Sequence, residues 1–100
     1  MLFAIAFMEG PTGLRALAPD LPACDLTGQT EQELLPRLRL AIEGTLTELL
    51  LARKPLPETR EGQPAPAARA SLPTARWLTI HINVAHLAAL AAHQARLAAG

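Results

Sequence analysis

The sequence predicts a single small α+β domain over residues 1–100, with the element order βββαβα. Three observations carry this prediction. Short apolar runs separated by turn-forming residues fill the first 28 positions, one long helical periodicity follows them, and an alternating strand precedes an alanine-rich helix at the end. We therefore expect a small antiparallel sheet packed by a long amphipathic helix and a C-terminal helix.

Three strands are predicted before the long helix. Residues 2–8 are apolar at every position, which is typical of a strand covered on both faces. Residues 9–13 are dense in turn formers, and the apolar run 14–18 follows them, so the first two strands should form a hairpin. Residues 23–28 predict a third short strand that stops at a glycine.

The long helix is expected from about Glu31 to Ala52. Thr30 and Glu33 match the capping box, in which the threonine hydroxyl accepts from the third helical N–H group and the glutamate reaches back. Pro36 removes one internal hydrogen bond near the start. The apolar stripe recurs at spacings of three and four: Leu34, Leu38, Ala41, Ile42, Thr45, Leu46 and Leu49.

Four further residues of this helix lie outside the apolar stripe. Arg39 and Glu43 have the spacing of an i,i+4 ion pair. Leu40 and Leu51 point away from the stripe. Two interpretations stay open for these leucines: isolated exposed side chains, or a contact with another subunit.

The last 47 positions contain a loop, a strand and a helix. Residues 54–75 hold five of the nine prolines and predict a loop with room for a short helical turn around 67–71. Apolar and polar residues alternate over Trp77–Val84, which indicates a half-buried strand. Asn83 can cap a final helix over Val84–Ala99, which Gly100 ends.

Composition excludes several function classes. Nine basic and nine acidic residues give zero net charge, so the broad basic surface that dominates non-specific nucleic-acid binding is not expected. A single cysteine forbids an intrachain disulfide and a cysteine zinc cluster, and it fits a reducing, cytoplasmic compartment.

The apolar start lacks a basic region and a cleavage site, so we expect no signal peptide. Residues 77–95 carry no Asp, Glu, Lys or Arg, yet their polar side chains argue against a membrane span.

Neither metal binding nor catalysis is predicted. His86 and His93 lie two helical turns apart, about 10 Å along the axis, which is too far for one metal ion, and His81 belongs to the preceding strand. Cys24 has no neighbouring base in sequence that would activate it. No phosphate-cradling glycine motif is present. The residues alone therefore favour a binding domain without a cofactor over an enzyme.

The segment PDLPACDLTGQTEQE, residues 19–33, resembles the signature of HicB-type antitoxin domains. That signature reads P-D-L-P-G-C, then a few residues, G-D-T and an acidic capping segment. Ala23 stands here in place of the common glycine and Gln29 in place of the usual aspartate. The matching positions are Pro19, Asp20, Pro22, Cys24, Gly28, Thr30 and Glu33. A proline pair at 54–58 and the later strand and helix extend the resemblance to most of the chain, with the 54–75 loop as an insertion.

The resemblance implies a partial ribonuclease-H-like fold that neutralises a small mRNA-cleaving toxin, HicA, by covering it. The motif residues are then structural: Pro19 and Pro22 shape the crossing, Gly28 permits a tight turn, and Thr30 caps the helix. About sixteen residues follow the last strand, too few for the DNA-binding module of many HicB proteins, so direct DNA binding is doubtful.

The partners we expect are a HicA-like toxin and a second copy of the chain in a homodimer. Trp77, Thr79 and His81 share the polar face of their strand and are the candidate partner surface. Alternatively, Trp77 lies under the 54–75 loop.

Two rival functions stay open. One is a solitary HicB-like domain that binds RNA or a small ligand and has no toxin. The other is a divalent-metal nuclease, for which the predicted strands supply only Glu9 and Asp25.

Overall fold

The computed structural model describes residues 1–99, with Ala99 described by its backbone only. It confirms the predicted α+β class. The strands are β1 (Leu2–Gly10), β2 (Gly13–Leu17), β3 (Asp25–Gly28) and β4 (Arg76–His81), and the helices are α1 (Glu31–Leu51), α2 (Pro66–Ser71) and α3 (Val84–Ala99). A 3₁₀ turn spans Arg60–Gly62. The turn and α2 both lie within the predicted 54–75 loop.

The four strands form one antiparallel sheet in the order β3-β2-β1-β4. The predicted hairpin is present, since β1 pairs with β2 up to Gly10 opposite Gly13. On its other side β1 pairs with β4, with Leu2 opposite His81. Met1 and Ile82 exchange two backbone hydrogen bonds of 2.8 and 2.9 Å, which extends this pairing by one residue on each strand.

Strand β1 is buried on both faces, as its unbroken apolar run predicts. Phe3, Ile5 and Phe7 on one face join the core cluster that contains the buried stripe of α1, namely Leu34, Leu38, Ile42 and Leu46. Ala4 and Ala6 on the other face are also buried. The 3₁₀ turn lies against β1 on this second face, because a Cβ on Gly62 would come within 3.1 Å of Leu2 Cβ.

The two predicted helix starts are confirmed. Thr30 Oγ1 accepts from Glu33 N at 3.1 Å, and Asn83 Oδ1 accepts from His86 N at 3.0 Å. Strand β4 therefore ends at His81 rather than at the predicted Val84, because Asn83 already serves as the cap of α3.

The predicted ion pair between Arg39 and Glu43 is wrong. Arg39 Nη1 instead donates to the carbonyl oxygen of His81 at 2.6 Å and joins the middle of α1 to the end of β4. The guanidinium finds a backbone acceptor there that only the tertiary fold brings near. Among residues 1–99, the ion pairs are Arg15–Asp25, Arg37–Glu33 and Arg76–Glu31.

Residues 59–62 cross the sheet face as a segment that we call the strap. Thr59 is buried, and the next three residues all have left-handed φ angles: 49° at Arg60, 55° at Glu61 and 82° at Gly62. Thr79 Oγ1 donates to the carbonyl oxygen of Gly62 at 3.0 Å and fixes the strap to β4. Left-handed φ is unfavourable for non-glycine residues, so contacts with the sheet hold this conformation in place.

Helix α3 packs beside α1 through the buried Leu87 and Ala91. Twelve of its sixteen residues are apolar, yet most of its described side chains are exposed, including Leu90 and Leu97. None of the helices described in residues 1–99 combines the length and the apolar character needed to cross a membrane.

Candidate functional site

The segment that resembles the antitoxin signature folds as a closed loop between β2 and β3. Ala18 N donates to the Cys24 carbonyl at 3.0 Å, Leu21 N to the Ala18 carbonyl at 2.9 Å, and Cys24 N to the Leu21 carbonyl at 2.8 Å. These three residues are buried, whereas Pro22 and Ala23 are exposed. The backbone bonds also explain why β3 begins at Asp25 and not at residue 23. The three hydrogen bonds hold the loop that leads the chain from β2 into β3.

Cys24 is an internal packing residue. Its side chain is 1 % exposed, and its Sγ lies 3.6 Å from Thr45 Oγ1, which itself donates to the Ala41 carbonyl at 2.9 Å. A nucleophilic thiol needs access to its substrate, and this one faces helix α1 in the core. The position fits a small buried hydrophobic residue that joins the loop to the helix.

Gly28 is required by close packing, which corrects the role expected for it in a tight turn. Its φ is not left-handed, so the turn itself does not demand glycine. A Cβ at this position would lie 2.9 Å from Leu34 Cδ2 and 3.0 Å from Leu34 Cγ. The missing side chain therefore lets the end of β3 approach the first buried residue of α1.

The capping box operates with one difference from the expected pattern. Thr30 accepts from Glu33 N as predicted, but Glu33 Oε2 accepts from the backbone of Gln29 at 3.0 Å, one residue before the cap. Glu33 also pairs with Arg37. Glu33 thus fixes the backbone at Gln29, just before the helix begins.

Replacing Thr30 with alanine should lower the free energy of unfolding by about 1 kcal/mol, because Glu33 N loses its acceptor. Chemical denaturation followed by circular dichroism measures the change. Gln32→Ala is the matched control, since Gln32 is exposed in the same helical turn. An unchanged melting temperature for Thr30→Ala would contradict the cap assignment.

Asp20 lies in the motif loop and is partly shielded from water. Burial raises the pKa of its carboxyl above the usual range, and the positive charge of Arg60 lowers it in part. Because the carboxylate is disfavoured in the folded state, Asp20 reduces stability at neutral pH, and this effect disappears as the pH falls below its pKa in the unfolded chain.

Asp20→Asn should therefore stabilise the protein at pH 7 by no more than about 0.5 kcal/mol, since solvent screens most of the effect. The difference between variant and wild type should vanish near pH 3, where both side chains are neutral. Melting temperatures at the two pH values test this. A variant that is less stable than wild type at pH 7 would show that the Asp20 carboxylate makes a favourable contact.

The other carboxylates do not converge with Asp20. Asp25 forms a two-pronged pair with Arg15, in which Arg15 Nε lies 2.8 Å from Asp25 Oδ1, and these hydrogen bonds lower the pKa of Asp25. Glu9 lines a cavity of about 530 Å³ at the far end of the sheet, next to the Glu31–Arg76 ion pair. Arg76 also lies over the Phe7 ring, with its Cζ 5.7 Å from the ring centroid. The two candidate nuclease residues, Glu9 and Asp25, therefore lie at opposite ends of β2, Glu9 opposite Leu14 and Asp25 opposite Leu17.

All three histidines are exposed, at the end of β4 and on α3. In the described residues, no group of three His, Cys, Asp or Glu side chains is placed to hold a metal ion.

The candidate partner surface lies on the sheet face that carries the strap. Trp77 stands opposite Ala6, Thr79 opposite Ala4 and His81 opposite Leu2, so the three side chains share one face. Trp77 is half-buried and His81 is exposed. Thr79 binds the strap through Gly62 and so lies between the other two. A partner on this face would contact Trp77 and His81 on either side of the strap.

Sequence reasoning missed two features of the surface. One is the cavity beside Glu9, whose walls come from residues up to 69 positions apart in the chain. The other is a groove between α1 and α3, lined by Leu50, Leu51, Arg53, Ala88, Ala91, Ala92 and Ala95. The absence of charge over residues 77–95 was a signal for the groove, because a helix without charged residues exposes apolar surface wherever the core does not cover it.

Comparison of the chain with protein-family models, with curated proteins and with solved structures finds no match.

Proposed function

We propose that the chain is a HicB-like antitoxin that binds and neutralises a small HicA-type mRNA-cleaving toxin by protein–protein contact and catalyses no reaction itself. The observation that carries the proposal is the structural role of the motif residues at 19–33. Its residues close a loop, pack Gly28 on α1 and cap that helix, so the residues that carry the resemblance form one connected structural unit, which supports the proposal.

The exposed apolar surface supports a protein partner. Leu40 and Leu97 are each 68 % exposed, and Leu51 and Leu90 are each 45 % exposed. They lie on α1 and α3, and contiguous apolar surface of this kind is typical of protein interfaces where such side chains adjoin one another. Aromatic residues often anchor such contacts, and Trp77 is the one tryptophan of the chain. We keep Trp77, Thr79 and His81 as the proposed toxin surface.

A tagged pull-down from the native cell, with mass spectrometry of the co-purified proteins, tests the function. We expect a stoichiometric small basic protein that stops growth when it is expressed alone and is silenced when this chain is co-expressed. Recovery of the chain without such a partner would overturn the antitoxin proposal. Salt-sensitive retention of RNA by the isolated chain would favour the solitary RNA-binding domain instead.

Trp77→Ala tests the proposed toxin surface once the partner is in hand. We expect at least a tenfold loss of affinity for the toxin, because truncating a central aromatic anchor typically costs about 2 kcal/mol or more. Gln32→Ala, at an exposed position in the first turn of α1, is the control and should bind as wild type does. Equal affinity for the Trp77 variant and wild type would remove this face from the proposal.

A further inference from the structure

A cleft opens where the hairpin end of the sheet meets the start of α1. Glu9 continues the face of β1 that carries Phe7. Leu14 of β2 lies opposite Glu9, and Arg76 of β4 lies opposite Phe7. These four residues and Glu31, the first residue of α1, line the cavity of about 530 Å³. A second cavity of about 420 Å³ shares Glu9, Leu14 and Glu31 as walls, and we call the two cavities together the sheet-end cleft.

The charges of the cleft leave one carboxylate without a counterion. Arg76 pairs with Glu31 and lies over the Phe7 ring, so its charge is already matched. Glu9 takes part in none of the ion pairs formed within residues 1–99. Two carboxylates and one guanidinium give the cleft a net charge of −1. A recess with partly apolar walls focuses the field of such a charge and attracts a cation.

We propose that the sheet-end cleft binds an arginine side chain of a partner protein. Glu9 and Glu31 are walls of both cavities, so a cation at their junction faces two carboxylates. A guanidinium presents five N–H donors in a planar fork and can contact both, whereas an ammonium is a compact point charge. The half-buried Leu14 at the same junction offers apolar surface to the methylene groups of the arginine.

The protein's own Arg76 shows that this chemistry suits the cleft. Its guanidinium combines a carboxylate partner, Glu31, with an aromatic surface, since its Cζ lies 5.7 Å from the centroid of the Phe7 ring. A bound arginine would repeat the pairing on Glu9 and make the cleft electrically neutral. A divalent metal ion fits less well, because it takes about six oxygen ligands and is repelled by Arg76. An anion is repelled by Glu9.

The openness of the cleft favours a side chain carried by a protein over a free small molecule. Glu9, Gly10 and Thr74 at the cleft are all exposed to solvent. Sites for small molecules usually enclose most of the ligand, whereas a protein adds contacts on the rim around an anchoring side chain. If the partner is the basic toxin proposed above, the arginine is one of its contact residues, and that step alone rests on the proposed function.

A nuclear magnetic resonance titration of the ¹⁵N-labelled chain with N-acetyl-arginine amide tests the cleft without any toxin. We expect saturable shifts of the backbone amides of Gly10, Gly13 and Glu31, with a Kd in the millimolar range that suits so small a ligand. N-acetyl-citrulline amide has nearly the same shape but no charge, and it should cause no such shifts. Glu9→Gln should weaken arginine binding about tenfold, because it removes the uncompensated charge.

Glu48→Gln is the matched control. It removes the same charge from an exposed position about 25 Å along α1 from Glu31, and it should bind arginine as wild type does. Unshifted cleft amides at about 20 mM arginine amide would overturn the proposal. Equal weakening in Glu9→Gln and Glu48→Gln, or equal binding of citrulline and arginine, would overturn it too, since neither fits a specific pairing with Glu9. None of these results bears on the antitoxin function.

The fold of the Glu9 variant can be checked in the same spectra. Glu9 is exposed, so amides remote from the cleft should keep their positions in Glu9→Gln.

Discussion

Gly62→Ala is expected to destabilise the protein by about 2–4 kcal/mol, through two effects that add. The φ angle of 82° is unfavourable for any residue with a Cβ, which costs about 1 kcal/mol. The new Cβ would also collide with Thr79 Cγ2 and lie 3.1 Å from Leu2 Cβ, so the Thr79 side chain or the strap must shift, at about 1–3 kcal/mol.

Urea denaturation followed by the fluorescence of Trp77, the single tryptophan, measures this loss. Gly44→Ala is the matched control. Gly44 lies within α1, and a Cβ there meets nothing within 4 Å, so alanine should stabilise the helix by about 0.5–1 kcal/mol. The same glycine-to-alanine substitution should thus lower the free energy of unfolding at Gly62 and raise it at Gly44. A loss of less than about 1 kcal/mol at Gly62 would show that the strap is not held against β1 and β4.

Gly28→Ala should cost about 1–3 kcal/mol by crowding alone, since the backbone at Gly28 is not left-handed. The added Cβ would stand 2.9 Å from Leu34 Cδ2, and Leu34 is fully buried and has little room to move. Equilibrium unfolding in denaturant gives the change in free energy.

A double-mutant cycle with Leu34→Ala identifies the cause of that cost. If the new methyl group collides with the leucine, Gly28→Ala should be nearly neutral once Leu34 is shortened, and the coupling should equal most of the single-variant loss. Full additivity would mean that the cost arises elsewhere, for example in the Glu33 side chain at 3.1 Å.

The parts of the fold that the sequence predicts are those with local causes. Thr30 and Glu33 are three residues apart, and the hydrogen bond that they make depends on helix geometry alone. The hairpin at Gly10–Gly13 and the stripe of α1 follow in the same way from turn residues and from the helical period. The cap on α3 can be predicted from the sequence because Asn83 directly precedes the alanine-rich run.

The parts that escaped prediction depend on distant residues. Arg39 donates to a carbonyl oxygen 42 positions away, and nothing near it in sequence competes with the more obvious Glu43. Arg60 and Glu61 adopt left-handed φ angles although neither is glycine or asparagine, because the strap is anchored to Thr79. Gly28 was assigned to a turn because its close neighbour Leu34 belongs to another element. The alternation of residues predicts that the candidate partner face lies on one strand, but nothing in the sequence predicts that the strap crosses this face.

The position of β1 in the sheet has a consequence for synthesis of the chain. Strand β1 lies between β2 and β4, yet β2 begins three residues after β1 ends, whereas β4 begins 66 residues after it. During translation the hairpin can form early, but the other edge of β1 stays without its hydrogen-bonding partner until residues 76–81 have been made. That edge belongs to a strand that is apolar over residues 2–8, and such edges readily pair with other chains. Premature termination before β4 should therefore yield chains that aggregate through the open edge of their first strand.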